Sequence, residues 1–286
     1  MPRATGGLLG LRQVDDSLAL SGVAVAVLGL AAGGEPTAPA AVRAASSRYA
    51  DWFGAGAAAS AARAIDYGDV LIAADDLAVT FMCAHERLAD VVAVGATPLV
   101  LGGDPVVSVP VLQVLSGKMR GRLGVIAFSG SYDVALEPVR GAASRWARAL
   151  ELGILAPANL VLIGGRADPP DAPALRVLDE LGAHAFSLAE VAELGMATVA
   201  QEALEAAAAG TEAVYLSIDL GVLEGPGEPL GLTARELTAG VAAVSATLLA
   251  AADICGVGPA AGGIAPAAVA ARVAAEIIAG VVGQSA

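Results

Sequence analysis

Four short segments of this 286-residue chain hold the side chains best suited to chemistry. They read Gly102-Gly103-Asp104-Pro105, Ser129-Gly130-Ser131-Tyr132-Asp133, Gly164-Gly165-Arg166 and Asp219-Leu220-Gly221-Val222-Leu223-Glu224-Gly225-Pro226. Each directly follows a short run rich in Val, Ile and Leu. Carboxylates and hydroxyls at such places are the materials of general acid–base catalysis. Nucleophilic alternatives are thin. No Ser–His pair occurs at these ends, so a hydrolase triad has little support. Cys83 falls inside a helical stretch and reads as packing, while Cys255 ends an apolar run before Gly256 without an evident base. His85 reads as a helix-edge residue and His184 as one preceding a short strand. Gly54–Ala59 and Gly256–Ala261 match G-x-G-x-x-A loosely, but the first follows no convincing strand, and the second has Pro259 inside it and Glu276 in a helix rather than at a second strand end.

The elements that must position these residues follow from the apolar pattern. Runs at Val23–Leu30, Ile65–Val70, Pro98–Leu101, Gly124–Phe128, Leu160–Ile163, Ala213–Ile218 and Leu248–Cys255 are nearly continuous in apolar residues. Such runs predict strands buried on both faces, as in a parallel sheet. Between most of them lie stretches of helical period: Asp76–Gly95, Leu188–Ala209 and Thr233–Ala251. In the first, Leu77, Phe81, Ala84, Leu88 and Val91 keep a 3-and-4 spacing. Alternating β and α predicts a doubly wound α/β fold, in which ligands bind beyond the carboxyl ends of the strands. No linker or fixed-period repeat appears, so a single domain over residues 1–286 is expected, with 1–16 as a loose N-terminal extension.

Composition removes several classes of function. Apolar residues make up 56% and charged residues 16%, which excludes a disordered chain. Two cysteines and two histidines cannot build a disulfide scaffold or a Cys-based zinc site. The net charge is −13, with Lys118, Arg120 and Arg122 as the densest basic cluster, so nucleic acid is not an expected partner. The uncharged stretches Ser17–Gly34 and Ile254–Ala271 are each 18 residues, and glycines and prolines break them. Neither carries the flanking charge asymmetry or aromatic belt of a membrane span. The apolar run near the N-terminus, Leu8–Leu11, is too short for a secretory signal, and a cytoplasmic protein is expected.

The order and spacing of the segments resemble the ureohydrolase family of arginases and agmatinases. LGGDPVVSVP is similar to that family's Gly-Gly-Asp-His segment, FSGSYD to its Asp-Ala-His-x-Asp, and LSIDLGVLEGP to its Ser-x-Asp-x-Asp-x-x-Asp-Pro. GLTARE (Gly231–Glu236), Arg43 in APAAVRAAS, and Gly153–Arg166 continue the likeness, which runs from about Val23 to Ala279. The resemblance implies a three-layer α/β/α domain, an arginase-like fold with a mostly parallel sheet of about eight strands. It implies a homo-oligomer, trimer or hexamer. In active members it implies two manganese ions that activate a bridging hydroxide.

Carried over residue by residue, that metal site is depleted. Pro105 stands at a metal-binding histidine, Ser129 at the bridging aspartate, Ser131 at the second histidine and Gly221 at the last aspartate. Asp133 and Asp219 are kept. The loop of the substrate-side histidine reads Gly141-Ala142-Ala143-Ser144, and the late glutamate falls near Gly256. The expectation is therefore no metal and no cofactor.

The resemblance then implies a pocket floor of Ser129, Ser131, Tyr132, Asp133, Asp219 and Glu224. Without cations between them, Asp133 and Asp219 would share a site, one pKa would rise, and one carboxyl could serve as acid and the other as base. The expected function is a metal-independent cyclase, isomerase, dehydratase or hydrolase of specialised metabolism. Its catalytic residues would be Asp133, Asp219, Ser131 and Ser129. Its substrate would be a small, largely apolar molecule bound by Tyr132, Phe128, Trp146, Glu224 and Pro105. Two other readings stand: an inactive binding or scaffold protein, in which Asp133 and Asp219 only cap backbone groups, and a hydrolase holding one residual cation between them.

Overall fold

The computed structural model describes residues 7–49, 63–73, 75–119, 123–132, 145–166, 172–225, 230–258 and 265–284. Eight strands form one sheet: β1 (Val25–Leu30), β2 (Ala64–Asp69), β3 (Thr97–Gly102), β4 (Leu123–Phe128), β5 (Leu155–Gly165), β6 (His184–Ser187), β7 (Ala213–Asp219) and β8 (Leu249–Cys255). Their order is β2-β1-β3-β8-β7-β4-β5-β6, and every neighbouring pair is parallel. The seven apolar runs all become strands, because a parallel sheet sandwiched by helices buries both faces.

The described α-helices are α1 (Ala38–Ser46), α2 (Leu77–Ala93), α3 (Ser108–Met119), α4 (Arg145–Glu151), α5 (Ala172–Leu181), α6 (Leu188–Leu194), α7 (Met196–Ala208), α8 (Ala234–Ser245) and α9 (Pro266–Gln284). They make two outer layers. On one face Val27, Leu101, Ile126, Phe128 and Leu216 pack with residues of α1, α7, α8 and α9. On the other, Leu28, Val100, Val125, Leu162 and Tyr215 pack with residues of α2, α3, α4 and α5. In α9 the apolar window long enough to cross a membrane is half buried, and residues from Ala270 to Val282 face the core, so α9 is a core helix.

Three local expectations change. The helical stretch Leu188–Ala209 is two helices. Gly195, at φ 81°, ends α6 and opens α7, a conformation that costs glycine little. The stretch Thr233–Ala251 ends at Ser245, and its last residues belong to β8. In α2 the buried stripe is Thr80, Ala84, Leu88 and Val91, while Leu77 is half exposed. Residues 7–16 lie within the described part of the chain. Leu8 is fully buried and its N–H donates to Asp66 Oδ2 at 2.8 Å, and Gln13 bridges to β2.

Candidate functional site

Register places the predicted residues along one line. Leu101 pairs with Ile254, Asp219 with Cys255, and Ile218 with Phe128. Gly102, Cys255, Asp219 and Ser129 therefore lie side by side across β3, β8, β7 and β4, at the carboxyl edge where such sheets bind ligands.

Asp219 ends β7 partly exposed, and its Oδ1 accepts the Gly221 N–H at 2.9 Å. Ser129 is buried, and its Oγ accepts the Ser131 N–H at 3.4 Å. Ser131 is exposed. Tyr132 is buried: its hydroxyl donates to Gly165 O at 3.3 Å, and its ring lies where a Gly165 Cβ would be. Glu224 is exposed, with its N–H bonded to Leu232 O at 3.0 Å. Pro105 opens a single turn after β3 that Asp104 caps by accepting the Val106 N–H at 2.8 Å. Arg166 donates to Gly221 O at 2.5 Å and Leu230 O at 2.9 Å, stitching the ends of β5 and β7 together. Asp133 and Gly141–Ser144 lie outside the described residues.

The aromatic candidates are not brought together. Phe128 and Trp146 are both 0% exposed, and they sit on opposite faces of the sheet. In this geometry neither offers surface to a small molecule, because strand alternation sends Phe128 into the core that α8 covers. His85 is exposed on α2, and His184, also exposed, opens the edge strand β6. Cys83 is half-buried on α2.

Beneath the row lies a polar cluster that the reading of the sequence did not single out. Asp253 is fully buried in β8. Its Oδ2 accepts the Ser108 hydroxyl at 2.8 Å and the Tyr215 hydroxyl, and its Oδ1 accepts the Ser217 hydroxyl at 3.1 Å. Arg145, 4% exposed, donates through Nη1 to the same serine oxygens, at 3.1 Å to Ser108 and 3.3 Å to Ser217. Its guanidinium lies over the Trp146 ring, 4.6 Å from the centroid, and Trp146 meets Tyr215 edge-on. Burial pushes Asp253 above the usual carboxylate range against Arg145 and the three hydroxyls. Burial pushes the Tyr215 hydroxyl and the Cys255 thiol well up, with Asp253 adding to both. The Cys255 thiol is therefore held protonated, which removes it as a nucleophile. A signal did exist: a lone aspartate in a run buried on both faces must find partners.

A second buried pair anchors the edge of the sheet. Arg43 donates through Nε and Nη2 to Asp66 at 2.7 and 2.9 Å, and through Nη1 to Asp69 at 2.6 Å. Burial alone would lower the Arg43 pKa, but these two carboxylates raise it.

The profile of the arginase family matches residues 16–280. The chain belongs to the arginase family. A formimidoylglutamase of Halalkalibacterium halodurans is 30% identical over 131 residues, covering 44% of this chain and 40% of that relative. The match thus spans less than half of that protein's length. Among solved structures, a hypothetical agmatinase from Burkholderia thailandensis superposes with a TM-score of 0.83 at 24% identity, covering 98% of this chain and 91% of that one. A formiminoglutamase from Trypanosoma cruzi, solved with Mn2+, superposes with a TM-score of 0.81 at 19% identity and 98% coverage of both chains.

Manganese in this family of folds can be tested against the residues present. Among the described residues, no three His, Cys, Asp or Glu side chains cluster closely enough to hold a metal ion. Of the described positions that match the family's ligands, Asp219 is a carboxylate and the others are proline, serine and glycine. Gly256, at φ +71°, packs so tightly that a Cβ there would lie 2.3 Å from Asp219 Oδ1. A larger acidic residue at 256 would need Asp219 to move. The described donor set does not fit a pair of manganese ions.

Proposed function

We propose that this arginase-family chain is a metal-independent acid–base enzyme acting on a small molecule. The observation that supports it best is the donor set of the strand-end row. Asp219 accepts the Gly221 N–H through Oδ1, and its neighbours in the row are the Cys255 thiol and the Ser129 hydroxyl. A carboxyl in that position can accept or deliver a proton. In this reading Asp133 is its partner, and Ser129 and Ser131 orient the reacting group. The arrangement suits cyclisation, isomerisation, dehydration or hydrolysis, and the protein works in the cytoplasm as a trimer or hexamer.

Metal analysis and turnover test the reading together. The purified chain should carry no stoichiometric manganese and release no urea from guanidino compounds. Asp219→Asn and Asp133→Asn should each abolish turnover of a substrate found by screening. Stoichiometric manganese, or urea release, overturns the reading. A single bound cation would favour the residual one-metal hydrolase.

The inactive-scaffold reading has one specific support: Asp219 already caps a turn and Ser129 is buried, so both have structural roles. Turnover unchanged by both asparagine substitutions would favour it.

A further inference from the structure

Apolar side chains gather on the surface where edge strand β2 leads into α2. Eleven large hydrophobic residues are exposed among the described residues, and five of them, Leu71, Ile72, Leu77, Val79 and Met82, fall between residues 71 and 82. We propose that this patch docks a segment of a partner protein in which lysines or arginines surround apolar anchors. The inference goes beyond the acid–base reading of the strand ends and does not depend on it.

Apolar side chains scattered singly on a surface need no explanation, but a cluster does. Leu71 is 75% exposed and Met82 63%. The core does not use them, because α2 packs inward through Thr80, Ala84, Leu88 and Val91. Val79 and Met82 lie three residues apart on the helix and so share a face. The loop before α2 is fastened beside them. Ala73 donates its N–H to Thr80 Oγ1 at 3.0 Å, the Thr80 hydroxyl donates to Ala73 O at 3.3 Å, and Asp76 accepts the Val79 N–H at 3.0 Å. Leu71 and Ile72 are thus held next to the first turns of α2. A surface fixed before binding loses little entropy on contact.

Charge selects the occupant. Arg87 of α2 donates through Nη1 to Asp15 O at 3.1 Å and so ties residues 15–20 to the helix. Across residues 15–20 and 75–93, six carboxylates stand against that one arginine. They are Asp15, Asp16, Asp75, Asp76, Glu86 and Asp90, all exposed. Arg87 is also committed inward: it donates to Tyr67 O, and its guanidinium lies over the Tyr67 ring, 3.6 Å from the centroid. A second copy in a two-fold contact would set these carboxylates against themselves, and the whole chain carries −13. An anionic lipid surface would be repelled in the same way. A cationic protein segment with apolar anchors matches both the centre of the patch and its rim.

Amphipathic model peptides test this on the full-length protein. A fluorescent helical peptide of leucine and lysine is titrated with the protein and followed by anisotropy, beside a leucine–glutamate peptide of the same pattern. The leucine–lysine peptide should bind, and the leucine–glutamate peptide should not. Leu77→Ser with Met82→Ser should weaken binding about tenfold or more, as the loss of central anchors does. Asp75→Asn with Glu86→Gln should weaken it several-fold and reduce its salt dependence. Leu248→Ser, which removes an equally exposed leucine just before β8, should change nothing. These side chains are exposed, so every variant should keep the Tm of the unaltered protein. Binding unmoved by Leu77→Ser with Met82→Ser would mean that the peptide is held by charge alone, and overturns the docking patch. A smaller sedimenting mass of that double variant would show that a second copy covers the face. Binding of the unaltered protein to phosphatidylglycerol vesicles, lost in the double variant, would show a lipid surface. Either result overturns the assignment to a partner protein.

Discussion

Gly256→Ala is the sharpest probe of how the row is built. An alanine Cβ at 256 would lie 2.3 Å from Asp219 Oδ1, and 3.0 Å and 3.1 Å from the backbone nitrogens of Leu220 and Gly221. The φ of +71° adds its own penalty for any L side chain. That penalty is about 1–2 kcal/mol. Relieving the overlap requires Asp219 to swing away and release the Gly221 N–H, a bond to a charged group and so about 1.5–3 kcal/mol. The sum is about 2.5–5 kcal/mol, or a Tm lower by roughly 4–8 °C at this chain length. Urea unfolding followed by circular dichroism would show the midpoint falling with m unchanged. Gly258→Ala is the control, since a Cβ there meets nothing within 4 Å. It should stay within about 0.5 kcal/mol of the unaltered protein. In an Asp219→Ala background the cost of Gly256→Ala should fall by about 1.5–3 kcal/mol, because the overlapping oxygen and its bond are gone. A Gly256→Ala variant as stable as Gly258→Ala, or a cost unchanged without Asp219, would refute the tight approach and the bar it places on an acidic side chain at 256.

Other outcomes follow from the buried polar groups. Asp66→Asn should cost about 3–5 kcal/mol in urea unfolding, because it leaves the buried Arg43 without its main counter-charge. Asn159→Ala should cost about 1–3 kcal/mol, since Asn159 Nδ2 donates to the carbonyls of Ala206, Ala207 and Ala209 at the end of α7. At pH 8 a thiol reagent should label half-buried Cys83 and spare Cys255, which is buried and held protonated; rapid labelling of both in the native state would contradict this. Asp253 has a raised pKa, so its contribution is present in acid and lost as pH rises through its titration. The unfolding free energy of Asp253→Asn should therefore change less between pH 4 and pH 7 than that of the unaltered protein.

Much of the fold was legible because burial on both faces leaves an unmistakable trace. Runs such as Gly124–Phe128 and Leu160–Ile163 have no polar alternation and so read as strands buried on both faces. Helix limits were harder to read. Alanine favours a helix but packs equally well in a strand, so the stretch from Ala242 to Ala252 did not mark where α8 stops and β8 begins. Gly195 was visible, but a glycine inside a helical pattern does not announce whether it bends, breaks or merely weakens it. At the site, the strand-end position of Asp219 and Ser129 followed from the order of elements. That Asp219 caps a turn, and that Phe128 and Trp146 are sealed on opposite faces, did not.

The sequence alone determined the sheet, its parallel sense and the strand ends where polar groups gather, since each depends on local apolar pattern. Tertiary structure alone decided which charges meet. Ser108 and Asp253 are 145 residues apart, yet their side chains share a hydrogen bond beside Arg145. A buried charge is tolerated only when packing brings partners to it, and that depends on the register between strands and the approach of a helix, which no local stretch of residues encodes.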